Sequence, residues 1–475
     1  MSVDLAVIGA GPAGGNAALE AARHGLSVTL IEESQAPGGQ VWRAPAPGLA
    51  AGSDADAKAG AALRAAIAAA PLTCLQGARV WLIGRTRAGF RIDLVRDGAS
   101  EAIETRALLL ATGAHERVVP FPGWTLPGVI GLAGATILLK SQKMLPGRRT
   151  VVAGCGPLLS VVAAGILKAG GKVVALVDLD SRADWLAALP ALAARPDLLA
   201  RGAGWALSIL RAGVPRFARH TVVAADGDQA LAGVSIAPCD EDGVPVAGAA
   251  PRRFEADALA IGHGLVPDTA ATRLVGAEHH FDAGRGGWHG VRDADMRSSL
   301  DGVWLAGEAG GIGGAAVAAL SGRLAGAAVA HAAGRLDAAS YAALAAPLRG
   351  QLARAGRAGG AMARMMRPRA GMAGAIPPET VVCRCEDVTR AEIDAAIAAG
   401  AREVNQLKQW TRCGMGPCQG RMCGEAAAGI LADHVGGREA AGLWTGRAPL
   451  RPVPMAALLG QFDYADIPIP PPAPP

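Results

Sequence analysis

Five cysteines crowd into one short stretch near the end of the chain. They are Cys383, Cys385, Cys413, Cys418 and Cys423. Two early and two late thiolates on glycine-bearing loops can enclose one metal centre, and iron–sulfur clusters prefer four such ligands. Zinc also accepts four thiolates, but its sites usually contain C-x-x-C pairs, whereas the early pair here is C-x-C. The spacing therefore favours an iron–sulfur cluster and keeps zinc as the alternative.

A glycine-rich turn near the N-terminus predicts a dinucleotide-binding site. The turn matches G-x-G-x-x-G and reads Gly9-Ala10-Gly11-Pro12-Ala13-Gly14. Because an apolar strand precedes it and a helix follows it, the glycines let backbone N–H groups approach a pyrophosphate at the helix N-terminus. Glu32 ends the next strand, with Glu33 beside it, and is placed to accept hydrogen bonds from a ribose diol.

Three later segments indicate that this dinucleotide is FAD. The first is a loop that would pass beside a flavin, the second closes a buried strand, and the third carries an acidic residue ahead of a glycine-rich helix start. Their candidate cofactor-binding residues are Gly39, Gln40, Arg43, Thr112, Gly113, Gly307, Glu308 and Gly314.

A second glycine turn, at residues 154–159, begins another strand–turn–helix–strand unit. Leu159 stands where a third small residue would allow close packing of helix on strand, and Asp178 ends the following strand. The pattern leaves three interpretations open: an NAD(P) site, a site for another nucleotide, or scaffold alone. Disulfide reductase activity is disfavoured, because the sequence before Cys383 contains no pair of close cysteines.

The repeated units predict an α/β fold with two Rossmann-like dinucleotide-binding domains, the second inserted in the first, plus a small helical C-terminal cluster domain. The FAD-binding domain is assigned to residues 1–122 and 256–335, with a strand near 256–261 returning to the first sheet. The inserted NAD(P)-binding-like domain is assigned to 123–255. The rest divides into a helical linker (336–378), the [2Fe-2S] domain (379–430) and a C-terminal tail (431–475) with a proline-rich end at 468–475.

These motifs together resemble known families. Residues 1 to about 330 look like two-dinucleotide-domain flavoproteins, and about 379–429 resemble [2Fe-2S] domains related to bacterioferritin-associated ferredoxin. The order of motifs is similar to the large subunit of bacterial amine and imino-acid dehydrogenases, a group with opine oxidases, D-hydroxyproline dehydrogenase and hydrogen cyanide synthase. In that resemblance Glu308 matches a residue that is usually Asp and bonds the ribityl chain of FAD.

The resemblance implies a role and a set of partners. It implies an electron-transferring subunit that works with a D-amino-acid-oxidase-like flavoprotein and with an external electron acceptor, and it raises a second flavin, FMN, at the subunit interface. It implies the cluster ligands Cys383, Cys385, Cys418 and Cys423, with Cys413 as a spare.

Composition and charge exclude several classes of protein. The net charge of +5 is spread along the chain without a Lys/Arg run, so nucleic-acid binding is not expected. We expect no transmembrane span, since apolar windows are interrupted by glycine and lysine. The N-terminal residues carry no export signal, which predicts a cytoplasmic protein that meets membranes only through a partner.

The residues alone leave function less resolved than fold. No Ser/His/Asp or paired-carboxylate arrangement stands out, so no catalytic residue and no substrate can be assigned from sequence. Besides the electron-transferring subunit, two alternatives stay open: a self-contained NAD(P)H-dependent reductase that passes electrons through the cluster to a carrier, and a scaffold without activity.

Overall fold

The first glycine turn lies in a sheet of seven strands. The structure is a computed structural model that describes residues 2–458. Six strands follow the order β3-β2-β1-β6-β5-β4, and the seventh, β19 (Val303–Leu305), pairs with β6; β1, β2, β3, β6 and β19 run parallel where they pair. The elements of this first segment are β1 (Ser2–Ile8), α1 (Pro12–Arg23), β2 (Val28–Ile31), α2 (Ala55–Ala69), β3 (Thr73–Leu75), β4 (Arg79–Thr86), β5 (Gly89–Arg96), β6 (Ala99–Leu110) and β7 (Ala114–Glu116).

The second unit is built on its own parallel sheet, in the order β11-β10-β9-β15-β8, with a three-stranded antiparallel sheet of β12, β13 and β14 beside it. Its elements are β8 (Val129–Gly131), α3 (Leu132–Ile137), β9 (Arg149–Gly154), α4 (Leu158–Lys168), β10 (Lys172–Asp178), α5 (Arg182–Leu192), α6 (Pro196–Arg211), β11 (Arg216–Ala218), β12 (His220–Asp226), β13 (Gly233–Pro238), β14 (Arg252–Glu255) and β15 (Ala258–Gly262).

One predicted domain boundary is wrong. Strand β15 was expected in the first sheet, but it pairs with β9 and β8 and so belongs to the inserted unit. The chain returns to the first unit only after Gly262, where β16 pairs with β7. The reason is physical: a short apolar strand buried on both faces looks the same in either parallel sheet, so its sequence does not reveal its neighbours.

The chain then completes the first unit with helices that cover the sheet. The elements are β16 (Leu265–Pro267), α7 (Ala270–Leu274), β17 (His279–Asp282), β18 (Gly287–Gly290), β19 (Val303–Leu305), α8 (Ala315–Ala332) and α9 (Ala338–Met365). Among the residues described, α8 is the one helix long and apolar enough to cross a bilayer, but it is largely buried against α1. A Cβ at Gly322 would lie 2.0 Å from the Ala13 carbonyl oxygen, so glycine is needed where these two helices meet.

The predicted helical linker contains a long helix, α9, that packs against both units. Tyr341, Ala345 and Leu348 of α9 join the core of the first unit, while Ala358 and Ala361 pack against α5 of the second. Helix α9 therefore connects the two units. The first part of its apolar face packs against the first unit, and the last part packs against the second.

The C-terminal module has a small hydrophobic core of its own. Its elements are β20 (Val381–Cys383), β21 (Val388–Thr389), α10 (Arg390–Ala398), α11 (Val404–Thr411), α12 (Gly424–Val435), α13 (Arg438–Ala441) and α14 (Met455–Leu458). The core includes Leu431 and Ala441, so the module extends past the predicted end at residue 430. The proline-rich end at 468–475 lies outside the described residues.

Candidate functional site

The first glycine turn brings helix α1 unusually close to strand β1. A Cβ at Gly14 would lie 1.8 Å from the Gly9 carbonyl oxygen, and one at Gly9 would lie 2.4 Å from the Ala111 carbonyl oxygen. No side chain fits at either position without moving backbone. The first and third glycines of the motif are therefore required by packing.

Packing within the chain does not require a glycine at Gly11, the middle glycine of the motif. Its φ of −70° suits any residue, and a Cβ there would make only an ordinary contact, 3.7 Å from the Cα of Gly39. Within the described part of the chain its N–H group has no hydrogen-bond acceptor. A bare, unpaired backbone amide at the N-terminus of α1 fits the close approach of a pyrophosphate.

The two acidic residues after strand β2 have different surroundings. Glu32 is buried, and its carboxylate oxygens accept hydrogen bonds from the N–H groups of Ala10 and Ser34, each at 2.8 Å. Glu33 is half-exposed and pairs with Arg79 at 3.2 Å and Arg451 at 3.5 Å. Glu32 thus lies at the turn with a lone pair on each oxygen left for ribose hydroxyls, and Glu33 points elsewhere.

The predicted loop after β2 folds over the turn. Gly38 donates its N–H to the Ala10 carbonyl oxygen at 2.8 Å, and a Cβ on Gly39 would lie 2.9 Å from the Cα of Gly11. The Gln40 amide oxygen accepts a hydrogen bond from Arg43 at 3.1 Å. The structure therefore brings this loop to the same place as the glycine turn.

The predicted loop before α8 also reaches the turn. A Cβ on Gly307 would lie 2.8 Å from that of Ala13. Glu308 accepts a hydrogen bond from the Gly314 N–H at 3.1 Å, and burial raises the pKa of its carboxyl group. The carboxyl group expected to meet a ribityl chain is thus held by its own loop.

All five cysteines of the module lie together. The sulfur atoms of Cys383, Cys413 and Cys423 are within 4.8 Å of one another and all three residues are buried. The half-buried Cys418 has its thiol in contact with those of Cys423 and Cys385. Cys413, expected as a spare, is therefore inside the cluster of thiols.

Backbone and thiol donors favour deprotonated sulfur at two of the five cysteines, Cys383 and Cys418, whereas the pKa of Cys385, Cys413 and Cys423 is raised. The thiols of Cys413 and Cys423, with the N–H group of Gly414, hydrogen-bond to the Cys383 sulfur and hold the pKa of that thiol far below its usual range. The Cys423 thiol likewise lowers the pKa of Cys418 to about 5, despite partial burial. Since the thiolate is the form that binds metal, the donor set fits an iron–sulfur centre.

A polar junction connects the two candidate sites. The Thr112 hydroxyl, next to the predicted flavin turn Thr112–Gly113, donates to the Asp268 carbonyl oxygen at 2.8 Å. The Asp268 carboxylate pairs with Arg421 at 3.8 Å, and Arg421 donates to the Cys418 carbonyl oxygen at 3.2 Å. Three contacts therefore lead from the glycine-turn unit to the cysteine loop.

Charged groups from both sides are buried in this junction. Burial alone would raise the pKa of Asp268, but Arg421, His115 and Arg451 outweigh it and lower that pKa. Arg117 of the first unit is buried and pairs with Glu425 at the start of α12. The ion pairs of this junction could not be predicted from the sequence, because their partners lie far apart in the chain.

Five histidines, at positions 115, 263, 279, 280 and 289, do not form one catalytic group. His115 lies at the junction, half-buried, with its Nδ1 atom unpartnered within the described chain. His263 is buried, which lowers its pKa to about 4. His279, His280 and His289 line a separate cavity of about 420 Å³ together with Arg285 and Arg292.

Comparison with known proteins adds two family matches. The pyridine nucleotide-disulphide oxidoreductase family matches residues 3–334, and the sarcosine oxidase A3 domain matches residues 378–461. The first match covers both units and implies FAD binding. The second covers the cysteine module.

Full-length relatives were also found. An opine oxidase subunit from Rhizobium meliloti is 36% identical over 95% of this chain and 97% of its own length. The HcnB subunit of hydrogen cyanide synthase from Pseudomonas protegens is 34% identical over 96% of this chain and 97% of its own length. The crystal structure of L-proline dehydrogenase from P. horikoshii has the same fold, with a TM-score of 0.70 and 23% identity over 96% of this chain and 79% of that one.

Proposed function

The chain belongs to the pyridine nucleotide-disulphide oxidoreductase family, among the relatives of the opine oxidase subunit and of HcnB, and from this premise we propose its role. It is an FAD-dependent oxidoreductase. We propose that it is the electron-transferring subunit of a hetero-oligomeric dehydrogenase that oxidises an amine or imino acid of the opine, D-hydroxyproline, proline or glycine type.

The observation that carries the proposal is the junction between the two cofactor-binding regions. Thr112, Asp268 and Arg421 connect the flavin side to the cysteine loop through contacts of 2.8, 3.8 and 3.2 Å. Bound FAD supplies two-electron or one-electron chemistry, and a bound iron–sulfur centre accepts single electrons. The protein's own residues hold the two regions in contact, which an electron relay needs and a scaffold does not.

We propose that the metal centre is a [2Fe-2S] cluster held by Cys383, Cys385, Cys418 and Cys423. In support, backbone N–H groups point at three of these four sulfurs, those of Cys383, Cys385 and Cys418. N–H donors of this kind are typical around cluster sulfurs, whose potential they tune. Cys413 would then donate its thiol proton to Cys383 without binding iron.

For FAD, we propose contacts from the turn Gly9–Gly14, from Glu32 and from the segments that surround the turn. The segment residues are Gly39, Gln40, Arg43, Thr112, Gly113, Gly307, Glu308 and Gly314. Glu33 has the weakest support, since it already pairs with two arginines.

The partners are inferred from the relatives, both of which are named as subunits. We propose a D-amino-acid-oxidase-like flavoprotein as the partner that removes hydride from the substrate, an external acceptor for the electrons, and FMN at the interface between the subunits. A cytoplasmic location, with any membrane contact made by the partner, belongs to the same proposal.

The test is to co-purify the chain with its flavoprotein partner and to supply opines, hydroxyproline isomers, proline, sarcosine and glycine with a dye acceptor. We expect one of these substrates to reduce the dye, and the chain alone to be inactive. If none is oxidised while NADPH reduces the flavin of the single chain, the protein is a self-contained reductase instead.

The cluster is tested separately on anaerobic protein. We expect about two iron and two sulfide per chain and a paramagnetic signal after dithionite. Zinc without sulfide would show a structural metal site, and the electron-relay role would then be wrong.

A further inference from the structure

The second glycine turn has the same place in its unit as the first, between strand β9 and helix α4, but a different shape. Helix α4 begins at Leu158, one residue later relative to the motif than α1 does. Leu159, at the third motif position, is fully buried against Val152 and Ile166. This position fills the hydrophobic core and does not bring helix and strand closer together.

The middle glycine of this turn, Gly156, is explained by the protein itself. Its φ is +77°, and a Cβ there would lie 2.5 Å from the Cγ of Met366. Its N–H group donates to the buried carboxylate of Asp180 at 3.1 Å. At Gly11 the corresponding amide and the space above it are free for a ligand, whereas at Gly156 both are taken by side chains of the chain.

The residues over the turn belong to one segment, 366–372, which follows helix α9 and which we call the strap. Besides Met366, the strap contributes Arg369, which pairs with the other Asp180 oxygen at 2.7 Å. Met372 packs into a small buried cluster with Cys155 and Leu179. A carbon on Gly264 would lie 2.2 Å from the Met366 carbonyl oxygen, so the strap backbone also lies directly on the chain that follows β15.

The strap and Asp180 reproduce the interactions of a bound pyrophosphate. A pyrophosphate oxygen accepts a hydrogen bond from a glycine-turn amide and is balanced by nearby positive charge. Here a carboxylate oxygen of Asp180 accepts that hydrogen bond, and the guanidinium of Arg369 balances its charge. Asp178 is buried two residues away, so a phosphate placed here would meet two carboxyl groups.

We infer that the strap is the permanent occupant of the second nucleotide site and that it determines which electron donor the protein can use. With Gly156 covered and its amide paired, NADH and NADPH have no site beside the flavin unit. The inference deepens the proposed function, on which it rests for the identity of the remaining donor, the partner flavoprotein. The nucleotides themselves are excluded by contacts within this chain.

The experiment uses the full chain with FAD bound, so that the first turn is filled. Equilibrium dialysis with NADH and with NADPH is expected to show no saturable binding up to about millimolar nucleotide, and neither should bleach the flavin. Micromolar binding of either nucleotide would overturn the inference. This measurement needs no substitution, so it does not depend on the folding of a variant.

Hydrogen–deuterium exchange then tests the strap. The substitution Arg369→Ala removes the ion pair with Asp180. We expect the amide hydrogens of the peptide covering 154–160 to exchange at least tenfold faster than in the wild-type protein. The flavin content should stay unchanged. The matched control is Arg367→Ala, on the same segment but exposed to solvent, which should exchange as the wild-type protein does. Equal exchange in the two variants would show that the strap does not hold the turn.

These results are separable from the fate of the proposed function. If no amine substrate is found but nucleotides still fail to bind, the relay is wrong and the strap stands. If NADH binds while an amine is oxidised with the partner, the strap is wrong and the relay stands.

Discussion

The flavin unit and the cysteine module present their binding groups in different ways. Around Gly9–Gly14 the proposed ligand, FAD, would meet backbone amides, so the site depends on how closely α1 approaches β1. In the module the candidate ligands are side-chain sulfurs, and five of them lie in contact where the proposed cluster would need four. A site built from backbone amides is lost when a Cβ is added to a closely packed glycine. A site built from side chains is lost when one ligand sulfur is removed.

The largest expected effect comes from adding that carbon. Gly14→Ala places a Cβ 1.8 Å from the Gly9 carbonyl oxygen, and we expect protein without flavin that is destabilised by about 3 kcal/mol. The measurements are flavin absorbance and the thermal unfolding midpoint. The control is Gly204→Ala in helix α6, where a Cβ meets nothing within 4 Å. A Gly14→Ala protein with full flavin content would show that flavin binding does not need the close approach of α1 to β1.

In the module, the side chains should decide the outcome. Cys383→Ser is expected to abolish iron and sulfide binding, because its sulfur contacts two other thiols and backbone donors. Cys413→Ser should keep the cluster and change its paramagnetic spectrum, because only a hydrogen-bond donor to sulfur is lost. Cys74→Ser, in strand β3, is the control. Equal loss of iron from the Cys383 and Cys413 variants would place Cys413 among the ligands.

A smaller effect is expected where a side chain supports the backbone-built site. Glu32→Gln replaces a carboxylate that accepts two backbone N–H groups with an amide that offers one acceptor oxygen. We expect roughly tenfold weaker FAD binding, since a lost hydrogen bond of this kind is worth about 1–2 kcal/mol. Glu33→Gln should bind FAD as the wild-type protein does. The measurement is fluorescence titration of flavin-free protein with FAD. Equal FAD affinities of the Glu32→Gln and Glu33→Gln variants would show that Glu32 is not part of the site.

The smallest effect concerns pH and should leave the cysteine module unchanged. Burial raises the pKa of Glu116 to about 7, against the opposing effect of N–H groups at the start of α3. Between pH 4.5 and 7 the folded protein therefore holds a proton that the unfolded chain has released, and stability falls as pH rises through this window. Glu116→Gln should remove on the order of 1 kcal/mol of this dependence. Chemical denaturation at about pH 5 and at about pH 8 measures the free energy of unfolding that is lost between these two pH values. The iron content should not change.

The sequence predicted contacts between residues that are close along the chain, but not contacts between distant residues. Gly14 and Glu32 belong to one short βαβ unit, so spacing along the chain predicted their neighbourhood correctly. Strand β15 was assigned to the wrong sheet because burial on both faces removes the pattern that would identify its partners. The pairs Asp268–Arg421 and Asp180–Arg369 join residues far apart in the chain, and no local pattern announces such contacts.

The contact among five cysteine thiols makes the timing of maturation important. Thiols this close, once unprotected, are ready partners for oxidation to sulfur–sulfur bonds, and the resulting cross-link would leave fewer than four donors for iron. For the proposed cluster to form, a newly made chain must therefore receive its iron before it meets an oxidant. Formation of the proposed cluster would then depend on iron delivery that keeps pace with synthesis of the chain.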